Sequence, residues 1–330
     1  MGRVLVGLLA VALLGAQGPV GAAENCGRTC LDDLVDQYLD ALAAHDPHKA
    51  PFASDMKFTE NGQKLELGDG LWRTFTGKGT YRMFVDDVEA GHVAFLGSIR
   101  EADTPAMLAL HLRIRDRKIT AAETLVQRNE KSALGFEEIG YTWRDAVPAG
   151  ERVSRADLLK TANLYFSGMQ LNDGKGAYPF DEDCNRIENG VYTTNVPTPP
   201  GQTRPDPKTA NNYSSQWSCR EQFESGLLHF VSRIRDRRFV ALDPERGLVF
   251  SFVFFDHMAG DTRTFQVPDG RNVTAGPKQP WTWEIAEAFR IEHGRIHQIQ
   301  AIMERVPYGM NSGWSTWEEG MSSAGRDASR

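Results

Sequence analysis

Two kinds of hydrophobic pattern follow one another along this chain, and they predict where its helices and strands lie. Leu31, Leu34, Tyr38 and Leu42 recur at helical spacing with acidic residues between them, which predicts an amphipathic helix. A second helix is predicted over 155–170. Later runs are rich in β-branched and aromatic residues, or alternate apolar with polar residues, which is typical of strands. These runs are 247–257, 281–291 and 295–305.

The order of these elements is repeated within the chain. Three stretches of the first half recur in the same order in the second half, and such self-similarity indicates two copies of one unit. They are 52–62 with 180–190, 87–93 with 243–249, and 113–128 with 290–305. The second copy is longer by two insertions, one over 196–215 and one that follows His257 and runs to about Pro280. Both insertions are rich in Gly, Pro and Asp or Asn, which predicts loops.

Each copy therefore has one helix followed by mostly antiparallel strands, which predicts an α+β fold with the helices packed on one face of a curled sheet. We expect the first domain over 24–128 and the second over 155–310. A packed connector over 129–154 joins them, and a C-terminal tail occupies 311–330. The two domains are expected to pack against each other.

The first residues have the composition of an export signal. Arg3 precedes an apolar run over 4–15, and small residues follow up to Ala23. This order predicts a signal peptide over 1–23, and hence a secreted or periplasmic protein. The run is too short for a permanent membrane span, so we expect no membrane association after cleavage. An uncleaved anchor is the alternative.

The cysteines and the net charge narrow the class of protein further. Four cysteines allow three pairings, and the most economical joins Cys26 to Cys30 and Cys184 to Cys219. A zinc site is the alternative, but the spacing lacks the paired ligands of zinc-binding motifs. The formal charge of −7, without a basic stripe, argues against nucleic-acid binding.

Several short motifs resemble a known family. Phe58-Thr-Glu-Asn-Gly62 with Gly70-Leu-Trp-Arg73 in the first copy, and Cys184–Gly190 with Phe255-Asp-His257 in the second, resemble the SnoaL-like branch of the nuclear transport factor two-like superfamily. The form they resemble occurs in tandem in secreted proteins of unassigned function. The resemblance implies two cone-shaped α+β barrels, each with an apolar pocket at its open end. Members include cofactor-free isomerases, dehydratases and lyases, and also binding modules without activity.

One strand end combines two titratable side chains. Neighbouring strand residues point to opposite faces, so only one of Asp256 and His257 faces the cone interior together with Val249 and Ser251. Alternation assigns that place to His257, and an imidazole in an apolar cup is suited to act as a general base. Asp256 would then be structural. Alternatively, both side chains only satisfy backbone groups where the strand ends.

Other charged residues have weaker claims. Glu188 repeats Glu60 within Glu-Asn-Gly, which favours a shared structural role over a catalytic acid. His229 lies in an apolar run, 223–239, that reads as helical, so it is expected in a core. A basic cluster there is either a solvated face or a rim that binds an anionic substrate. Its members are Arg233, Arg235, Arg237 and Arg238.

The second copy also holds the aromatic residues best suited to stack on a ring-shaped ligand, namely Tyr165, Tyr192, Trp217 and Trp283. It alone carries the insertions, the Cys184–Cys219 pair and the Asp256-His257 strand end. We therefore predict that a small-molecule ligand binds in the second cone.

Two function hypotheses follow. The first is a cofactor-free lyase, isomerase or dehydratase acting on a small hydrophobic oxygenated molecule, with His257 moving the proton. The alternative is a secreted ligand-binding or interaction module without chemistry; a purely structural role is a third reading. No dinucleotide or phosphate-loop fingerprint occurs, so no cofactor is expected. No metal is expected either, because His293 and His297 bracket a turn.

Overall fold

The computed structural model describes Gly2 and residues 26–140 and 143–330. The expected signal peptide thus lies outside the described residues except for Gly2. Among the described residues, no helix is both long and apolar enough to cross a membrane.

The first domain is one helix packed on a six-stranded sheet. Strand β1 runs parallel to β6, and the other strand pairs are antiparallel, in the order β2-β1-β6-β5-β4-β3. The elements are α1 (Arg28–Ala43), β1 (Phe52–Glu60), β2 (Gln63–Lys64), β3 (Phe75–Asp87), β4 (His92–Glu101), β5 (Thr104–Arg115) and β6 (Lys118–Gln127). Short 3₁₀ turns lie at Pro47–Lys49 and Gly70–Arg73.

The connector contains a helix that the sequence did not predict. Helix α2 (Glu130–Ile139) begins after Asn129, whose side chain accepts a hydrogen bond from the backbone N–H of Ser132. Such a cap satisfies one of the free N–H groups in the first turn of a helix. After α2, the buried Trp143 donates its indole N–H to Gln298 of the second domain.

The second domain repeats this plan with a seven-stranded sheet, in the order β15-β9-β10-β13-β14-β7-β8. Its helices are α3 (Arg155–Leu171), α4 (Cys219–Glu224) and α5 (Trp317–Met321). Its strands are β7 (Phe180–Glu188), β8 (Val191–Tyr192), β9 (Arg233–Asp243), β10 (Leu248–His257), β13 (Trp281–Glu292), β14 (Arg295–Val306) and β15 (Gly325–Asp327). Strands β11 (Thr264–Gln266) and β12 (Asn272–Thr274) form a small separate sheet.

The predicted helix over 223–239 was wrong. Helix α4 ends at Glu224, and β9 begins at Arg233. Gly226, at φ +71°, turns the chain close to Pro268. The following segment then pairs along β10, so cross-strand pairing overrides the helical pattern of its apolar residues.

Each sheet has two buried faces with different partners. The inner face of each sheet packs on the long helix of its own domain, α1 or α3, to form that domain's core. The outer faces pack against each other and bury a third apolar cluster, which includes Met83, Leu96, Phe250 and Phe252. The chain is thus two sheet-dominated α+β domains with opposed interiors.

Covalent and C-terminal contacts complete the fold. Disulfides join Cys26 to Cys30 and Cys184 to Cys219, and the second ties β7 to α4. The C-terminal segment adds β15 parallel to the edge of β9. It also reaches the first domain, where the indole of Trp314 donates to the hydroxyl of Thr59 at 2.8 Å.

Candidate functional site

The inner face of the second sheet has charged side chains where the first sheet has apolar ones. Arg186 stands two residues before the Glu-Asn-Gly turn, at the place that Phe58 occupies in the first copy. Glu287 stands five residues before the end of β13, as Leu110 does in β5. Phe58 and Leu110 both belong to the core of the first domain. The fold therefore does not require a charge at either position.

Strand pairing brings the two carboxylates of the second interior into one cross-strand row. Glu287 pairs with Ala301 of β14, and Ala301 pairs with Glu188 of β7. On the other side, Glu287 pairs with Ser251 of β10, which takes the place of Phe95. Two strand spacings separate Glu287 from Glu188, about 10 Å between their backbones, so their side chains can converge over the small Ala301.

Glu287 is a buried acid that holds its proton at neutral pH. Only 2% of the residue is exposed. Burial, together with the charge of Glu188, raises the pKa of Glu287 to about 8. The phenol of Tyr165 donates a hydrogen bond to this carboxyl, and Oε2 has no hydrogen-bond partner among the residues that the structure describes. A protonated carboxyl in an apolar interior is the usual form of a general acid.

Arg186 lies beside these carboxyls and is also 2% exposed. Its Nη2 donates to Oε1 of Gln222 at 2.7 Å, and its Nε lies 3.3 Å from Oε1 of Glu188. Burial opposes its charge, but Glu188 and other neighbours outweigh that effect and raise the pKa of Arg186. The guanidinium is therefore a fixed positive charge inside the domain.

Helix α4, which follows the first insertion, supplies Gln222. Helix α4 begins with a capping box between Ser218 and Glu221, and its Cys219 is bonded to Cys184 of β7. Gln222 faces inward and donates to the carbonyls of Thr193 and Ser214 at 2.7 and 2.8 Å. The disulfide and these bonds hold the amide against Arg186.

Glu188 does not share the contacts of its counterpart Glu60. Glu60 accepts hydrogen bonds from the backbone N–H of Leu71 at 2.7 Å and from Arg128 at 2.8 Å. In the second copy, the counterpart of Arg128 is Arg305, which lies over the ring of Trp281 instead. Glu188 is consequently left with Arg186, and 18% of its side chain remains exposed.

Comparison with known proteins identifies the repeat. The family model described as "Domain of unknown function (DUF8021)" matches residues 24–126 and again 151–303. The chain belongs to the DUF8021 family. No curated protein matches this DUF8021 chain.

Two solved structures show only a weak likeness. One is the crystal structure of AclR, a putative hydroxylase from Streptomyces galilaeus, with TM-score 0.25 and 12% identity over 32% of this chain and 83% of that one. The other is a de novo designed protein with a curved β-sheet, with TM-score 0.24 and 15% identity over 46% of this chain and 88% of that one.

His257 of the DUF8021 chain lies far from the carboxylate row. It faces the inner side, stacked on Trp281 with 4.1 Å between ring centroids and on Phe230 with 5.9 Å. Burial lowers its pKa to about 4, and its Nδ1 has no hydrogen-bond partner within the described ranges. It stands six positions from Ser251 on one strand, a separation of about 20 Å. The structure thus does not bring His257 and Glu188 together.

Asp256 lies on the outer face and is fully buried. It accepts hydrogen bonds from Arg233 at 2.6 Å, Arg235 at 2.8 Å and the hydroxyl of Thr282 at 2.7 Å. Burial opposes its charge, but these donors outweigh it and lower the pKa of Asp256. Asp256 therefore links β9 to β13 through its hydrogen bonds with two arginines and a threonine.

The neighbouring arginines do not form an open rim. Arg238 is ion-paired with Glu123 of the first domain at 2.6 Å. Arg237 donates to side chains of α3, among them Ser167 at 2.9 Å. With Arg233 and Arg235 on Asp256, internal partners hold all four side chains. The rim that the sequence suggested is not formed.

The four aromatic candidates lie in different places. Tyr165 is buried beside Glu287, whereas Tyr192 is 45% exposed on the edge strand β8. Trp283 packs edge-on against Trp281 near His257. Trp217 is fully buried in an apolar cluster that joins the segment around α4 to the second insertion, and its indole donates to the carbonyl of Pro205 at 2.7 Å. Only Tyr165 lies in the charged cluster.

One group has side chains of the types that bind metals. Asp181, Asp183 and His297 place one ligand atom each within 4.8 Å of one another. The two ring nitrogens of His297 lie 2.9 Å from Asp183 and 3.7 Å from Asp181. This is the arrangement of an imidazole between two carboxylates, so the group has the geometry of an ion pair.

Sequence reasoning missed Arg186, Gln222 and Glu287. Gln222 and Glu287 lie outside the motifs quoted above, and Arg186 lies inside Cys184–Gly190 but was not singled out there. For Arg186 and Glu287 the available signal was the alignment of the two copies, because the first copy has the core residues Phe58 and Leu110 at these positions.

Proposed function

We propose that this DUF8021 chain is an exported SnoaL-like protein whose second domain forms a cone and catalyses a cofactor-free lyase, isomerase or dehydratase reaction. Its substrate would be a small hydrophobic oxygenated molecule. The observation that carries the proposal is the pairing of a protonated Glu287 with an ion-paired Glu188 in one cross-strand row. A protonated carboxyl beside one that is ion-paired with Arg186 provides an acid and a base in one interior.

Elimination of water from a 3-hydroxy carbonyl compound illustrates the chemistry. The Glu188 carboxylate removes the proton next to the carbonyl, and the electron pair of that C–H bond forms the new C=C bond. The C–O bond breaks as Glu287 protonates the leaving hydroxyl, which departs as water. Arg186 stabilises the negative charge that develops on the carbonyl oxygen. Proton exchange with solvent then restores both carboxyls.

His257 is the weaker candidate for the base. Its pKa near 4 leaves the ring neutral at pH 7, but it binds a proton less readily than an ordinary imidazole. Its stacking between Phe230 and Trp281 suits a role in shaping the apolar end of the interior.

Export is supported by the two disulfides, since such bonds persist in oxidising compartments. It is also supported by the apolar run near the N-terminus.

A substrate panel with matched variants tests the activity. Small 3-hydroxy ketones and 3-hydroxy acids are incubated with the protein, and the conjugated product is followed by ultraviolet absorbance. We expect Glu287→Gln and Glu188→Gln to lower kcat by about 100-fold or more. Glu284→Gln is the control, because Glu284 is equally buried on β13 but faces the first domain, and it should leave kcat unchanged.

Equal turnover by Glu287→Gln and the parent protein would refute the assignment. Ligand binding that survives in both variants, with no turnover of any panel member, would instead favour the non-catalytic binding module.

A further inference from the structure

Arg186 has hydrogen-bonding capacity that the protein does not use. Nη2 is taken by Gln222, but neither Nε nor Nη1 makes a hydrogen bond within the described part of the chain. The contact of Nε with Glu188 is an ion pair at 3.3 Å rather than a hydrogen bond. Leaving buried charged donors unsatisfied is costly, so the surroundings of Arg186 are incomplete in the free protein.

The charge is also unnecessary for the architecture. Phe58 fills the equivalent place in the first domain, where it is 3% exposed in the core. The second domain has moreover built support for the guanidinium, since Gln222 is itself anchored by two backbone carbonyls. An arginine that is held in place by an amide, with other N–H groups unpaired, is suited to bind an anionic group of a ligand.

We propose that Arg186 binds the carboxylate of the substrate, so that the substrate class is small apolar carboxylic acids. The N–H groups of Nε and Nη1 point to different edges of the guanidinium, and each can donate a charge-assisted hydrogen bond to one carboxylate oxygen. Its cross-strand neighbours are apolar, because Ile299 of β14 pairs with Arg186 and Phe289 of β13 pairs with Ile299. A single negative charge is balanced by one arginine, whereas a phosphate would bring a second charge next to Glu188. This inference rests on the proposed function.

Binding of the carboxylate would also prepare the base. Glu188 is half of the ion pair in the free protein, and its partly exposed side chain has room to move. A ligand carboxylate oxygen that accepts the Nε–H takes the place of Glu188 at this edge of the guanidinium. The freed carboxylate lies beside the bound substrate. Because one guanidinium serves either Glu188 or the ligand carboxylate, binding of the substrate and release of Glu188 occur together.

Calorimetric titration with matched probes tests the inference without any turnover. Propionate and benzoate are compared with propionamide and benzamide at pH 7. We expect the parent protein to prefer at least one acid over its amide by tenfold or more, and Arg186→Gln to lose that preference. Arg220→Gln is the control. It removes the same charge from α4, but the side chain of Arg220 is 45% exposed, so this variant should keep the preference for the acid.

A second variant acts in the opposite direction. Glu188→Gln removes the competing carboxylate and should tighten acid binding several-fold while leaving amide binding unchanged. If Arg186→Gln does not fold, this variant decides alone, and unchanged or weaker acid binding would overturn the inference. The absence of any acid preference in the parent protein would do the same.

The two proposals fail separately. Acid binding that depends on Arg186, with no turnover of any substrate, would sustain the carboxylate subsite and reject the enzyme. Turnover of neutral hydroxy ketones that depends on Glu287, without acid preference, would reject the subsite and sustain the enzyme.

Discussion

The protonated state of Glu287 makes a quantitative prediction about stability. The pKa of this carboxyl is raised from 4.5 to about 8 by burial and by the charge of Glu188. A raised pKa in the folded state contributes stability that is complete below the unfolded value and is lost as pH rises through the folded value. At about 1.4 kcal/mol per pKa unit, ionisation of Glu287 alone should lower the free energy of unfolding by about 3 to 4 kcal/mol between pH 5 and pH 8.

Glu287→Gln is the perturbation that isolates this contribution. The amide matches the shape of the protonated acid and still accepts the hydrogen bond from Tyr165, so the variant should equal the parent protein at pH 5. At pH 8 the variant should be the more stable of the two by about 3 kcal/mol, because it has no proton to lose.

Guanidinium unfolding with the disulfides intact, followed by tryptophan fluorescence at pH 5 and pH 8, measures the difference. Glu284 is the internal comparison, since burial raises its pKa to about 8 as well, and Glu284→Gln should remove a similar share of the pH dependence. If the parent protein and Glu287→Gln lose equal stability between the two pH values, Glu287 is ionised in the folded protein. The acid–base pairing would then be wrong.

Three further predictions concern the support of the site. Gln222→Ala leaves Nη2 of Arg186 without its acceptor and should cost about 1 to 3 kcal/mol in chemical unfolding; an unchanged midpoint would mean that the amide is not a support. Replacing Cys184 and Cys219 together by Ser should cost about 2 to 4 kcal/mol and speed cleavage of the first insertion by trypsin, and equal cleavage rates would contradict the clamp. Asp256→Ala leaves the buried Arg235 unpaired and should lower stability by about 3 to 5 kcal/mol, measured by urea unfolding, whereas a loss under 1 kcal/mol would show that the pair is solvated.

Periodicity located the long helices and the central strands, because each buries one face and repeats its apolar residues accordingly. Helix α2 escaped because Gly135 reads as a helix breaker. In the fold, a Cβ at Gly135 would meet the backbone oxygen of Gly190 at 2.3 Å, so the glycine is required by this close approach. Only the tertiary contact reveals that reason.

The site was harder to predict than the fold. Alternation correctly placed His257 on the inner face and Asp256 on the outer face. It could not show that Glu188 lies across the sheet from Glu287, since that proximity depends on the register of β7 on β14. Arg186 becomes conspicuous only by comparison with the first copy, which has Phe58 at the equivalent position.

The position of β15 has a consequence for how the protein is made. Gly325–Asp327 covers the edge of β9, and Asp327 is ion-paired with Arg155 at the start of α3. The strands of the first sheet are complete once Gln127 has been synthesised, whereas the edge of β9 stays uncovered until Asp327 has emerged. A nascent or truncated chain therefore presents an open strand edge that is available for pairing with other chains. A tag or fusion placed directly after Asp327 would interfere with the pairing of β15 with β9.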